Sequence, residues 1–242
     1  MSEFLTTAEE NVSAAKGVQG GYCFRAPVGT PLPDSPSWRP QPVYTLTADT
    51  DVDAAKTYYT KSGSGKTEKY TEVETPAKAS LNTYYEKHTP WKNMGFITED
   101  GEKWNVEVST QEFVDQNGDT MDTSQSKYGE GFGCAFAETK AAPFESIYGK
   151  DAVTDENGVL KVNHTGAEPD TWTYAFLFLL KDGRKWVRYA EKCKRTEITE
   201  YDTNSSTVVA WAANYKALKS ETTGGYFVDL FESTETEATD GN

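Results

Sequence analysis

The residues with the best claim to chemistry are Ser62-Gly63-Ser64-Gly65-Lys66-Thr67, which have the composition of a phosphate-binding loop. That loop needs a glycine five positions before Gly65, where Thr60 stands. It also needs a helix after the lysine and threonine, so that N-terminal amides face the phosphate. The following Glu68-Lys69-Tyr70-Thr71-Glu72-Val73 reads as a strand, and a glycine-serine turn is the expectation. Asp115, Asn117 and Asp119 begin like a calcium loop, but Thr120 replaces the required glycine and Ser126 the bidentate glutamate at the twelfth position. An acidic turn is expected there. The two histidines, His88 and His164, have no cysteine, serine or second histidine at a spacing that nucleophilic catalysis uses. Carboxylates are abundant, so a paired-carboxylate hydrolase stays on the page as a third class, but abundance alone designates no pair. The expectation is a protein that is not an enzyme, with no catalytic, cofactor or metal residues.

The elements around these residues read as strands. Tyr, Phe, Trp, Thr and Val are frequent, which suits a pleated, half-buried surface. Trp104, Val106 and Val108 alternate, which predicts a strand with one buried face. Tyr128 to Ala137 is a glycine-interrupted strand, and Asn117-Gly118 marks a turn. Trp172 to Leu180 and Lys185 to Cys193 read as a hairpin with a two-residue turn at Asp182-Gly183. Thr207 to Leu218 and Gly225 to Phe231 are further strands. Ala141 to Tyr148 is the helix candidate: Pro143 suits a first turn, Phe144, Ile147 and Tyr148 share a face, and Gly149 stops it. Ala26 to Pro33 is too proline-rich to pair regularly.

Residues 43–88 differ from their surroundings. Tyr44-Thr45 returns as Tyr70-Thr71, and Thr57-Tyr58-Tyr59-x-Lys61 as Thr83-Tyr84-Tyr85-x-Lys87, a repeat of 26 residues (70 − 44). Each repeat reads as two short strands around a polar turn, too small to bury a core alone. The division expected is an arm and first strand over 1–42, this β insertion over 43–88, the rest of the host domain over 89–231, and an acidic tail over 232–242, with residues 1–13 and the tail polar and unpaired.

Cys23, Cys134 and Cys193 stand far apart, which fits neither a disulfide framework nor a zinc site and predicts reduced, packed residues made in a cytoplasm. The start of the chain has no basic region or apolar core of a secretion signal, so the sequons at Asn11, Asn163 and Asn204 are read as chance. No apolar run reaches membrane-spanning length. The net charge of −14 argues against a basic nucleic-acid-binding face, while allowing DNA to pass without sticking. Against that background Lys181, Arg184, Lys185, Arg188, Lys192, Lys194 and Arg195 crowd one hairpin. They are either a solvated strand face or a basic surface that meets the acidic surface of a neighbouring copy.

The order of segments resembles a known family. Val12 to Gly17, with Arg25-Ala26-Pro27-Val28-Gly29-Thr30-Pro31-Leu32-Pro33, is similar to the start of major tail (tail tube) proteins of long-tailed, non-contractile, siphovirus-type bacteriophages. Trp91-Lys92-Asn93-Met94-Gly95-Phe96-Ile97-Thr98-Glu99-Asp100-Gly101, Phe144 to Thr154, Asp182 to Lys185 and Glu197 to Glu200 follow in the same order as that family's later segments. The departure is the 43–88 insertion. The resemblance implies a mainly β fold, a sandwich or barrel with one short flanking helix. It implies hexameric rings stacked into a tube through which the genome passes. The partners it implies are further copies, the tail terminator, the tape measure and distal tail proteins, with no membrane. The site of action would be the virion tail, assembled in the host cytoplasm. Ser109 to Ser126 is the stretch expected to stack ring on ring, and the insertion is expected on the outer surface. The rival class is a cell-surface or carbohydrate-binding β-sandwich module, for which an exposed aromatic platform should line one face of residues 43–88.

Overall fold

A computed structural model of the protein describes residues 18–98, 101–117, 119–200, 203 and 208–233, with the side chain of Lys66 left out. The expected N-terminal arm and most of the acidic tail lie outside the described residues. The fold is mainly β, and the chain divides into two compact units, Arg39–Trp91 and the remainder.

The larger unit is built from β1 (Val18–Pro27), β6 (Lys92–Asn93), β7 (Lys103–Val114), β8 (Thr120–Phe136), α1 (Ala141–Tyr148), β9 (Val153–Glu156), β10 (Val159–Val162), β11 (Thr171–Leu180), β12 (Lys185–Ile198), β13 (Trp211–Ala217) and β14 (Val228–Phe231). Its main sheet runs β6-β1-β11-β12-β13-β8-β7, with β14 on β12. The segment after β6 serves both ends of that order. Met94 N–H donates to Cys23 of β1 at 2.9 Å, Thr98 N–H to Ala135 of β8 at 3.1 Å, and Ala137 N–H to Phe96 at 2.8 Å. Residues 92–98 therefore close the sheet into a small barrel, which removes edges that would otherwise be left to pair with other chains.

Strand alternation fills the interior. Cys23 faces Phe176, Phe132 faces Tyr215, and Cys134 faces Ala213 across neighbouring strands, and all six belong to one buried cluster with Met94, Phe136, Tyr174, Phe178 and Ile147. Phe132 stacks on Tyr215 with centroids 4.7 Å apart and meets Phe176 edge-on at 4.9 Å. Gly129, Gly131 and Gly133 take successive outward positions of β8, and a Cβ at Gly131 would stand 2.4 Å from the Tyr215 carbonyl oxygen. Small residues there let β8 and β13 approach.

The helix forms where the sequence places it and stops at Gly149, whose φ is 96°. It is pinned to the barrel by Arg25, which is almost wholly buried. Its Nε donates to the Ala142 carbonyl at 2.9 Å, its guanidinium pairs with Glu145, and it lies 3.9 Å over the Trp172 ring. Beside it, Ser146 shares hydrogen bonds with Tyr215 at 2.5 Å and Tyr174 at 3.0 Å. Burial pushes both phenols above their ordinary range, so they stay neutral hydrogen-bonding groups. The three cysteines are free and buried, and loss of solvation raises each thiol.

Two turns correct the sequence reading. The β11–β12 hairpin has a three-residue loop: Leu180 N–H bonds to Arg184 and Gly183 N–H to Leu180, with Gly183 at φ 87°. A type I turn closed by a left-handed glycine accommodates that length. The β9–β10 hairpin was not expected, although Asn157 (φ 53°) and Gly158 (φ 75°) form the Asn-Gly pair that a type I′ turn demands.

The smaller unit is a four-stranded antiparallel sheet of β2 (Val43–Leu46), β3 (Tyr58–Ser62), β4 (Lys69–Glu72) and β5 (Tyr85–His88), in the order β2-β5-β3-β4. The strands of one repeat do not pair with each other but with those of the other repeat. Tyr44 faces Lys87 just as Tyr70 faces Lys61, and Tyr59 faces Tyr85 where the two halves meet. Even the bonds beyond the strands match, Thr47 N–H to Tyr84 at 2.9 Å and Val73 N–H to Tyr58 at 2.8 Å. The repeat has become a pseudo-two-fold sheet because each half supplies the partners that the other lacks.

Candidate functional site

The feature of the larger unit that its own core leaves unexplained is the β7–β8 ribbon. Trp104 and Phe132 face one another inside the barrel, and the same strand face continues outwards through Val106, Val108, Thr110, Glu112 and Val114. Val106 is 56% exposed, Val108 55% and Val114 58%. The alternation thus marks a strand, but the buried face it predicts ends at Trp104: Val106 and Val108 on the same face are each more than half exposed. From Val108 onward the described strand residues of β7, and those of β8 as far as Tyr128, are all exposed on both faces. Seven residues at 3.3 Å give an overhang of roughly 23 Å. Phe113 and Met121 are also exposed. Near the root, Tyr226 donates to the Tyr128 carbonyl at 3.1 Å, and Glu107 pairs with Lys127 and Lys216, which holds its carboxyl below the usual range.

The seven basic residues of the β11–β12 hairpin do not share one face. Arg188 lies on the core-facing side opposite Phe176, where Asp229 holds it at 2.8 and 2.7 Å. Its guanidinium lies 4.4 Å over Trp104. Arg184 pairs with Asp182, and Lys194 with Glu168. Lys185 points to the opposite side, where Nζ reaches Ser37 Oγ at 3.3 Å. Lys181 is exposed at the turn, and Lys192 and Arg195 are half-buried. Period-two alternation divides a run of bases that looks continuous in sequence.

The other candidates resolve into turns. Residues Gly65–Thr67 make a single 3-10 turn before β4, with no helix to receive a phosphate. Asp115 accepts from the backbone amides of Asn117 and Asp119 at 2.8 and 2.9 Å, an aspartate-capped turn at the ribbon's tip. His88 bonds to Thr45 Oγ1 at 2.9 Å, and His164 stacks on Tyr148. Among the described residues no three His, Cys, Asp or Glu side chains are grouped to hold a metal, and no helix is long and apolar enough to cross a membrane.

In the smaller unit one sheet face packs Tyr58, Tyr84 and Leu81 into a small core. The Tyr58 hydroxyl donates to Asp49 at 2.7 Å and accepts from Asp53 N–H. The opposite face carries Tyr44, Tyr59, Tyr70 and Tyr85. Tyr44 and Tyr70 stack at 3.9 Å with planes 3° apart, and each meets a second tyrosine edge-on, Tyr59 at 5.2 Å and Tyr85 at 5.3 Å. All four are half-buried. Sequence reasoning expected an exposed aromatic platform on one face of residues 43–88 under the rival class; four tyrosines do share one face, but they are half-buried against one another.

No protein-family model matches the chain, and comparison with curated proteins finds no match. Among solved structures, the chain is similar to one from the anti-feeding prophage cap, described as an AFP tube terminating cap. The alignment has 10% identity and a TM-score of 0.33, covering 55% of this chain and 79% of that one. A similarity of that size does not establish a shared fold, and the functional reading rests on the chain's own residues.

Proposed function

We propose that this chain is a non-catalytic structural subunit of a long-tailed phage tail tube. In this reading copies assemble into stacked rings, hexameric by the family resemblance, that form the channel for genome delivery. The observation that carries it is the β7–β8 ribbon. A two-stranded ribbon with both faces in water is marginal by itself, and the row Val106, Val108, Val114 extends the core face beyond the barrel. Such a row is stabilised when another surface covers it. A neighbouring ring is the surface proposed, with the stretch 109–126 as the stacking element. The net charge of −14 suits a channel that DNA crosses without adhering. The tail terminator, tape measure and distal tail proteins are the further partners, and the virion tail is the place of action.

Negative-stain electron microscopy and sedimentation of the purified full chain test this. Rings or tubes are expected, and deletion of 109–126 should leave single rings. A chain that stays monomeric at all concentrations overturns the reading.

A second reading is favoured by the tyrosine cluster: residues 39–91 as a saccharide-binding module. Titrating saccharides against the full chain while following its intrinsic fluorescence tests it. Saturable changes that Tyr44→Ala and Tyr70→Ala both abolish would support it. Much of the ring area is spent on tyrosine–tyrosine contact, which is why assembly is the leading reading.

A further inference from the structure

Where β1 and the start of β7 part on either side of the closing segment, a cavity of about 650 Å³ opens. Trp104, Phe178 and Trp186 stand among its lining residues, with Glu102 and Glu138 beside them. The two carboxylates differ. Glu138 accepts from Phe96 N–H at 2.8 Å and pairs with Lys140. Glu102 has one carboxylate oxygen, Oε1, that is buried and has no hydrogen-bond partner. Arg188 lies over the Trp104 ring of that wall, but its Nε and Nη2 are held by Asp229. Loss of solvation raises the Glu102 carboxyl above its usual range, the expected response of a carboxylate whose partner is missing.

We propose that this cavity is a socket for the side chain of a lysine in a second copy of the chain, Lys192, with Glu102 as its counter-charge and the aromatic wall around its methylene stem. A carboxylate and indole rings together select a cation on an apolar stem. Among the hairpin bases, Arg184, Arg188 and Lys194 already hold carboxylates, Lys185 holds Ser37, and the Nε of Arg195 is buried within its own chain. Lys181 adjoins Leu180, the partner of Val18 on the cavity's own rim. A contact made by Lys181 would therefore be two-fold and closed. Lys192 lies six residues along β12 from Trp186, roughly 20 Å away at 3.3 Å per residue. A socket and a plug separated on one molecule give a head-to-tail contact, which can close into a ring. The inference rests on the assembly reading and adds its direction.

The test uses the full chain and reads the concentration at which rings or tubes appear. Glu102→Gln and Lys192→Glu should each raise it at least tenfold, and the exchanged pair Glu102→Lys with Lys192→Glu should return it to within about threefold of the original. Thermal unfolding of unassembled Glu102→Gln separates this from a structural role. Removing an unpartnered, desolvated carboxylate should leave Tm unchanged or higher, whereas a lowered Tm would mean that Glu102 stabilises its own barrel and would overturn the proposal. It is also overturned if Glu102→Gln assembles at the original concentration, or if Lys181→Glu rescues Glu102→Lys and Lys192→Glu does not. An unaltered chain that never assembles overturns the subunit reading and this contact together, whereas normal assembly by Glu102→Gln overturns only the contact.

Discussion

In residues 39–91 tyrosines cover both faces of a sheet whose two halves are copies of one another. The larger unit instead rolls its sheet around a core in which no strand repeats another. In the small sheet every strand pairing joins residues from two 26-residue repeats, and ring contacts supply much of the packing. The barrel depends on partners still farther apart in the chain and unrelated in sequence, such as Phe132 with Tyr215 and Arg25 with Glu145. A sheet too small to hide its second face can lay aromatic rings on it. A closed barrel has an inside, and buries its aromatics there.

The largest expected effect is on the barrel. Phe132→Ala removes a ring held by Tyr215, Phe176 and Tyr174, and should cost about 3–5 kcal/mol, read by denaturant unfolding. A loss under about 1 kcal/mol would mean that the interior repacks like a loose sheet. Next, Arg25→Met leaves Glu145 and the Ala142 carbonyl without their partner and should cost about 3 kcal/mol, with α1 losing amide-exchange protection before the strands do.

The smaller unit offers a sharper test of the contrast. If the pseudo-two-fold governs its energetics, Tyr44→Ala and Tyr70→Ala should destabilise it equally, by about 1–2 kcal/mol each, with a coupling of roughly 0.5–1.5 kcal/mol in a double-mutant cycle. Unequal losses would show that the two repeats share a register but not an energy balance.

Two smaller effects follow from charge and exposure. The folded Glu102 carboxyl titrates above its unfolded value, so the folded state holds more protons between the two values. Stability from this group therefore falls as pH rises from the unfolded carboxylate range through the folded value. Glu102→Gln should remove that fall, as measured by unfolding at several pH values. At Val108, more than half exposed, Val108→Asp should change protomer stability by no more than about 0.5 kcal/mol, yet prevent stacking. Equal loss of both would mean that the ribbon belongs to the barrel's own fold.

Much of the local structure was legible in the residues. Pro143 and Gly149 bracket α1, and the tyrosine spacing marks the repeat. The Asn157-Gly158 hairpin was legible too, since the pair is the strongest two-residue turn signal, yet no element was assigned there. The seven clustered bases were a different matter. Their sequence proximity suggested one surface, whereas strand alternation and partners such as Asp229, which is 41 residues from Arg188 in the chain, divide them.

Sequence alone determined what depends on neighbours within a few residues: strand type from alternation, turns from glycine and asparagine, the helix from its caps, and the repeat from its period. Only the tertiary structure decided that the strands of one repeat pair with those of the other, that residues 92–98 close the barrel, and that the alternating row at Val106 and Val108 runs out past the core. Alternation states that a strand has two unlike faces. What lies over either face is set by chain segments far away in sequence, and past its root at Tyr128 both faces of this ribbon are exposed.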